Sequence, residues 1–373
     1  MKKTLITAAV GVAAAAVASA VLLPSGADAA EVHNADRATA EAFGHIADSV
    51  LNQRTAALVD SPSAQQTAPL HDKKVRLSSG LERTEGNALS SLKARKKRLN
   101  ALGEAYSSAS TKVSTDKAVI KGGRATVEVT ETTTLTYKKV HGDEPSTTGF
   151  QAHHELTFSR GSGGKWELKS IKDKDNGLPA INQPEVAAVA STGSFPKATP
   201  AGTSWPARPA PKTQKAGGYD YQAMAAYAER YWNRYNPAYR SFNSAGGDCT
   251  NFISQSLKAG GWKDAPGSEE DYQKWWYNSS SQSTTWVGAN EWSWYALSSK
   301  RVTNLSNVFQ MDVGDILQMD FDRDGSKDHS MIVTYRSRIG VPYVTYHSTN
   351  TYRKSVASLV ASYPNATFFA YRT

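Results

Sequence analysis

The sequence predicts an α+β chain built as two regions, and three observations carry that expectation. Apolar residues at three/four spacing over 35–59 give way to Val/Thr-rich alternating runs between 111 and 171. A Pro-rich stretch over 176–218 then separates this part from the rest. Beyond it stands Cys249, the sole cysteine, at the start of an apolar-periodic segment. Two strand-like runs that each carry a histidine, His329 and His347, follow it.

The elements are read in chain order. Lys2 and Lys3, the Ala/Val/Leu-rich run 5–23 and the small residues of Ala27-Asp28-Ala29 read as an export signal over 1–29. The expectation is a secreted protein, extracellular or cell-wall associated, that meets a membrane only during export. An accessory α+β domain is expected over 31–175. Ala38, Ala42, Phe43, Ile46, Val50 and Leu51 give the stripe of its first helix, and 88–107 reads as a second helix. Runs at 111–120, 124–140, 151–159 and 165–171 read as an antiparallel meander. Its turns are Gly122-Gly123, 141–148 and 161–164. Helices followed by such a meander resemble the cone-shaped nuclear-transport-factor-like and cystatin-like folds, an analogy of architecture alone. His153 and His154 point to opposite faces of one strand and cannot chelate a metal together.

The segment 176–218 carries Pro179, Pro184, Pro196, Pro200, Pro206, Pro209 and Pro211, and reads as an extended, semi-rigid linker. After it come a helix over 220–235, stopped by Asn236-Pro237, and a helix over 249–259, stopped by Gly260-Gly261. Strands are expected at 314–321, 329–335, 343–348 and 367–371. Charge divides with these regions. Residues 31–218 hold 26 Lys/Arg against 19 Asp/Glu, a net +7, whereas 219–373 hold 15 against 14, a net +1. An anionic wall polymer is the natural counter-surface for the basic part. Nucleic acid is not expected, since no nucleic-acid motif accompanies the charge.

A lone thiol in an exported chain cannot close an intramolecular disulfide. Cys249 follows Gly246-Gly247-Asp248 and sits at the first turn of a helix, where the dipole and free amides favour thiolate and can hold an oxyanion. Imidazoles on following strands complete what cysteine acyl transfer needs. Asp320-Phe321-Asp322-Arg323-Asp324-Gly325 with Asp328 resembles the first part of a calcium loop. Met331 replaces the closing Glu, so the segment reads as a polar hairpin, with weak calcium binding at Asp320, Asp322, Asp324 and Asp328 as the alternative. No other metal and no cofactor is expected.

The assembled motifs resemble one family. They are Tyr221, Ala226-Tyr227-Ala228, Asn236-Pro237, Asp248-Cys249-Thr250-Asn251-Phe252-Ile253-Ser254-Gln255, Trp275-Trp276-Tyr277, Gly314-Asp315-Ile316, Asp328-His329-Ser330-Met331-Ile332-Val333 and Tyr346-His347-Ser348. Over 219–373 the chain resembles the bacterial putative amidase domain family, thought to belong with papain-like NlpC-type and CHAP-type wall hydrolases. The resemblance implies a papain-like fold with a helix-borne cysteine packed on an antiparallel sheet. It implies Cys249 as nucleophile, His329 as base and His347 as the residue that orients the base, with Asn350 the competing orienter. Asp248, Trp275 and Trp276 are the expected substrate contacts. The function expected is a secreted cysteine amidase or peptidase acting through a thioester, with peptidoglycan the favoured substrate. Two alternatives stand beside it: a non-catalytic wall-binding module, and a hydrolase of small amides or protein side-chain amides. Persistent wall binding without thiol-dependent cleavage would mark the first, and cleavage of glutamine-like amides the second.

Overall fold

The computed structural model describes residues 32–67, 75–161, 163–175, 178–184, 198–210, 212, 218–243 and 247–373. The expected export segment lies outside them. Among the described residues no helix is long and apolar enough to cross a membrane.

The N-terminal region begins with strand β1 (Val32–Asn34) and helix α1 (Arg37–Ala56). Asp36 caps α1 by accepting from the Thr39 amide. Strand β2 (Val75–Leu77) and helix α2 (Ser79–Ala101) follow, then β3 (Tyr106–Lys121), β4 (Arg124–Tyr137), β5 (Thr147–Arg160) and β6 (Trp166–Asp173). Alternation along β4 and β5 turns Val127, Val129, Leu156 and Phe158 inward against Phe43, Val50 and Leu51 of α1. Each such side chain contributes about 1.5–3 kcal/mol by leaving water. The second helix starts nine residues earlier than the sequence suggests and ends at Ala101, and Ser107 already belongs to β3.

His154 points into this region and is fully buried between two carboxylates. Its Nε2 lies 3.1 Å from Glu131 Oε2, and its Nδ1 lies 3.3 Å from Asp173 Oδ1. Burial works against its charge, but the two carboxylates outweigh it and raise the imidazole to about 9. His153 faces outward to Asp175 at 2.9 Å.

The C-terminal region holds α3 (Tyr221–Tyr231), α4 (Cys249–Ala259), the single turn α5 (Thr284–Val287), α6 (Ala289–Ser298) and β7 (Thr303–Leu305). Strands β8 (Ile316–Asp320), β9 (His329–Arg336), β10 (Pro342–Tyr346) and β11 (Asn350–Ser355) come next, then α7 (Val356–Ser362) and β12 (Thr367–Arg372). Phe252, Ile253 and Leu257 seat α4 on Ile332 of β9 and on a cluster of Trp262, Trp275, Trp286 and Trp292. Gly260 lets α4 close on α3: a Cβ there would come within 2.2 Å of Met224 and 2.8 Å of the Asp220 carbonyl. The other face of the sheet carries Leu317, Met319, Met331, Val333, Val344 and Tyr346, packed with Val356 and Leu359.

One mostly antiparallel sheet of mixed α/β surroundings runs through both regions, in the order β1-β3-β4-β5-β11-β10-β9-β8-β12-β7. One edge of β5 pairs with β6 along 154–160 and with β11 along 149–151, where Asn350 lies opposite Gln151. The segment expected as a semi-rigid linker makes contacts with both regions in its described parts. Leu178, Ala180, Ile181, Asn182 and Gln183 are buried, with Asn182 donating to Glu131 at 2.7 Å. Arg95 donates to the carbonyls of Ile181 and Gln183 at 2.5 and 2.7 Å. Further on, Ala201 bonds the Phe368 carbonyl and Trp205 packs edge-on to Phe309. The backbone polar groups of a Pro-rich segment still need partners, and here they are found on both regions.

Candidate active site

Cys249 opens α4 and is 7 % exposed. Its Sγ lies 3.8 Å from Thr250 Oγ1, and the Ser330 amide of β9 donates toward it. Thr250 and Ser330 hydroxyls meet at 2.9 Å and tie the helix start to the strand. Burial pushes the thiol above its ordinary range, against the pull of the Ser330 amide and the Thr250 hydroxyl, and the Asp248 charge adds to the rise. The depressed thiol value that the helix start suggests is therefore not the state described; desolvation wins over the dipole.

Asp248 was expected to touch substrate, and its position corrects that expectation. The residue is fully buried and its carboxylate is saturated. It accepts from the Phe242 amide at 2.8 Å, from Asn251 Nδ2 at 2.9 Å and from His347 Nδ1 at 2.8 Å. Its own amide donates to Ser348 Oγ at 2.9 Å. Because these partners occupy it, the side chain does not cap α4.

His347 follows the end of β10 and sits on the α4 side. Phe252, one turn beyond Cys249, stacks on its ring at 4.0 Å, and Tyr235 lies 4.4 Å away. Nε2 donates to the Tyr231 carbonyl at 2.7 Å, since a carbonyl can only accept. His347 thus orients on Asp248, not on His329. Asn350 accepts from Tyr235 Oη at 3.4 Å and holds neither histidine.

His329 occupies the first position of β9, directly across from Met319. Met319 belongs to the core on the sheet face away from α4, and the His329 ring meets Tyr346 of that core edge-on at 4.9 Å. Neither ring nitrogen makes a hydrogen bond, to Cys249 or to any other described group. Burial, aided by the Lys354 charge, pushes the imidazole down to about 3, so it is uncharged at neutral pH. The expected Cys249–His329 contact is absent because strand alternation hands the α4 face to Ser330.

Trp275 is wholly buried in the aromatic core and cannot contact substrate. Trp276 is half-buried, with its indole nitrogen enclosed. Carboxylate oxygens of Asp320, Asp322 and Asp328 lie within 4.8 Å of one another, with Asp324 outside that group. Asp320 accepts from the amides of Arg323 and Gly325, and Asp328 from that of Phe321, so the hairpin caps itself.

A buried thiol thus opens the helix whose preceding residue, Asp248, holds the His347 imidazole. Residues 218–371 match the putative amidase domain family. The match covers the C-terminal region and points to amide hydrolysis. Two curated relatives each match a little over a third of the chain. The chain is 36% identical over 146 residues to the uncharacterized protein YhbB of Bacillus subtilis (strain 168), covering 37% of this chain and 45% of that protein. It is 33% identical over 143 residues to the uncharacterized protein YjcM of the same strain, covering 36% and 32%. The chain thus spans less than half the length of the curated relatives it matches. The crystal structure of the intermembrane space region of chloroplast protein ARC6 aligns over 38% of this chain and 98% of that chain. With a TM-score of 0.23 and 18% identity, that likeness carries no argument.

Residue types pointed to Cys249 and His347. They did not reveal the Tyr231 carbonyl, the Ser330 amide or the Phe242 amide, which are backbone groups without a sequence signature. Tyr235 ends the helix expected over 220–235, but α3 stops at Tyr231 and Tyr235 reaches His347 from the turn beyond it.

Proposed function

We propose that this chain is a secreted, cysteine-dependent amide hydrolase with a papain-like arrangement of thiol-bearing helix and sheet. The observation that carries the reading is Cys249 at the start of α4 beside the Asp248–His347 bond, inside the amidase-family region. In this reading Nε2 of His347 first gives the proton it donates to the Tyr231 carbonyl to solvent water, then turns to the thiol and takes its proton. The thiolate forms a bond to the amide carbon, and first-turn amides of α4 receive the oxyanion. His347 returns the proton to the departing amine as the C–N bond breaks, and water then hydrolyses the thioester. The substrate favoured is an amide of cell-wall peptidoglycan, and the basic region of net +7 supplies attraction to anionic wall polymer.

A second reading keeps His329 as the base, as the family resemblance implies. One observation favours it: both its nitrogens are free of other partners. It requires the ring to leave the Tyr346 side of the sheet.

The full chain and its Cys249→Ala variant, incubated with peptidoglycan, test the function by mass spectrometry of soluble products. Wild type alone should release fragments with new amine and carboxyl ends, and the variant should lose about 10⁴-fold or more in rate. His347→Ala should lose about 10²-fold or more in kcat. A silent His347→Ala with an inactive His329→Ala would pass the base role to His329. Wall binding with no thiol-dependent product from wild type would leave a binding module instead.

A further inference from the structure

A cleft of about 190 Å³ opens where three parts of the chain meet, and none of the residues around Cys249 lines it. Its walls are aromatic. Trp205 of the Pro-rich segment stands edge-on to Phe309 at 4.9 Å, and Tyr137 of β4 stands edge-on to Tyr343 of β10 at 6.2 Å. A cavity of about 150 Å³ is large enough to hold benzene, so this one has room for a branched side chain.

Charges of both signs line the same space. Glu144 supplies a carboxylate, and Lys139 and His141 lie exposed on the lining, whereas Glu104 is buried with its oxygens taken by the Tyr106 and Ser355 hydroxyls. Glu144 is fixed by the Tyr343 hydroxyl at 3.2 Å and the His141 amide at 2.8 Å. The loop that carries it is pinned to the C-terminal region, with the Arg338 amide donating to Asp143 Oδ1 at 3.0 Å and the Tyr335 hydroxyl to the Asp143 carbonyl. Such fixed walls reduce the ordering cost of a ligand. Three large apolar side chains are exposed among the described residues. One, Ile339 at 50 %, lines this cleft, and another, Val140 at 43 %, sits between Lys139 and His141.

We propose that this cleft binds a small zwitterion with an apolar side chain, a free amino acid or dipeptide. Its ammonium faces Glu144, its carboxylate faces Lys139 and His141, and its side chain lies between the aromatic walls. The proposal stands apart from the catalytic reading. Because the lining comes from both regions, an occupant stabilises their contact.

Calorimetric titration of the full chain with leucine, leucinamide and 4-methylpentanoate tests it. Leucine should bind tightest, with each single-charge analogue weaker by about fivefold or more. Glu144→Gln should weaken leucine and leucinamide but not 4-methylpentanoate. Lys139→Ala should weaken leucine and 4-methylpentanoate but not leucinamide. Trp205→Ala should weaken all three, whereas Cys249→Ala should bind leucine as wild type does. Equal affinity for the three ligands, unchanged binding in Trp205→Ala, or no binding of leucine up to about 10 mM, the weak end of specific affinity, would overturn the proposal.

Discussion

Both regions take imidazole fully out of water, and His154 in one and His329 in the other are treated in opposite ways. In the N-terminal region His154 lies between Glu131 and Asp173 and is held charged, its value raised to about 9. In the C-terminal region His329 lies against Tyr346 with no hydrogen bond and is held neutral, down to about 3. Burial is the same in both; what differs is the supply of carboxylates. The first imidazole is a fastener for β4, β5 and β6. The second packs against an aromatic ring and ties no strands together through its nitrogens.

The largest effect that separates the two comes from substitution by leucine. His154→Leu leaves Glu131 buried without its cation and should cost about 3–5 kcal/mol in urea unfolding. His329→Leu removes an unbonded polar ring and should change stability by less than about 1 kcal/mol, or raise it. Equal costs at the two sites would break the comparison.

Stability against pH should tilt in opposite directions for the two rings. The folded value of His154, about 9, lies above the ordinary 6.5. Its contribution is therefore full below pH 6.5 and is lost as pH rises through 9, by roughly 3 kcal/mol at most. The folded value of His329, about 3, lies below 6.5, so its share is full above that pH and lost as pH falls toward 3. Thermal unfolding across pH 4–10 should show the alkaline loss reduced in His154→Leu and the acid loss reduced in His329→Leu. A His154→Leu profile parallel to wild type on the alkaline side would count against the assignment.

The smallest effect is at the border of the two regions. Tyr235→Phe removes the bonds from Asn243 at 2.7 Å and to Asn350 at 3.4 Å, and should cost about 1 kcal/mol or less in the same assay.

Much of this fold is legible in the residues. The Gly122-Gly123 turn and the Val/Thr alternation locate β3 to β6, and Cys249 to Ala259 is the helix its apolar spacing describes. β11 is not legible: Asn350-Thr351-Tyr352-Arg353-Lys354-Ser355 has no apolar alternation, and it is a strand because β10 and β5 flank it. α6 is hidden by its tryptophans, which weigh against helix by propensity, although packing buries Trp292. The site is half legible for a related reason. Cysteine and histidine announce themselves, but which face of β9 carries His329 depends on register with Met319, and one position decides it.

The pairing of β11 with the lower part of β5 has a further consequence. A fragment cut to begin at residue 218 would contain the whole amidase-family match and yet leave Asn350, Thr351 and Tyr352 without their neighbour. Such an uncovered strand border is a template for another chain. The fragment that looks self-sufficient by homology is therefore the one expected to associate with its own copies, and the N-terminal region acts toward it as a built-in chaperone.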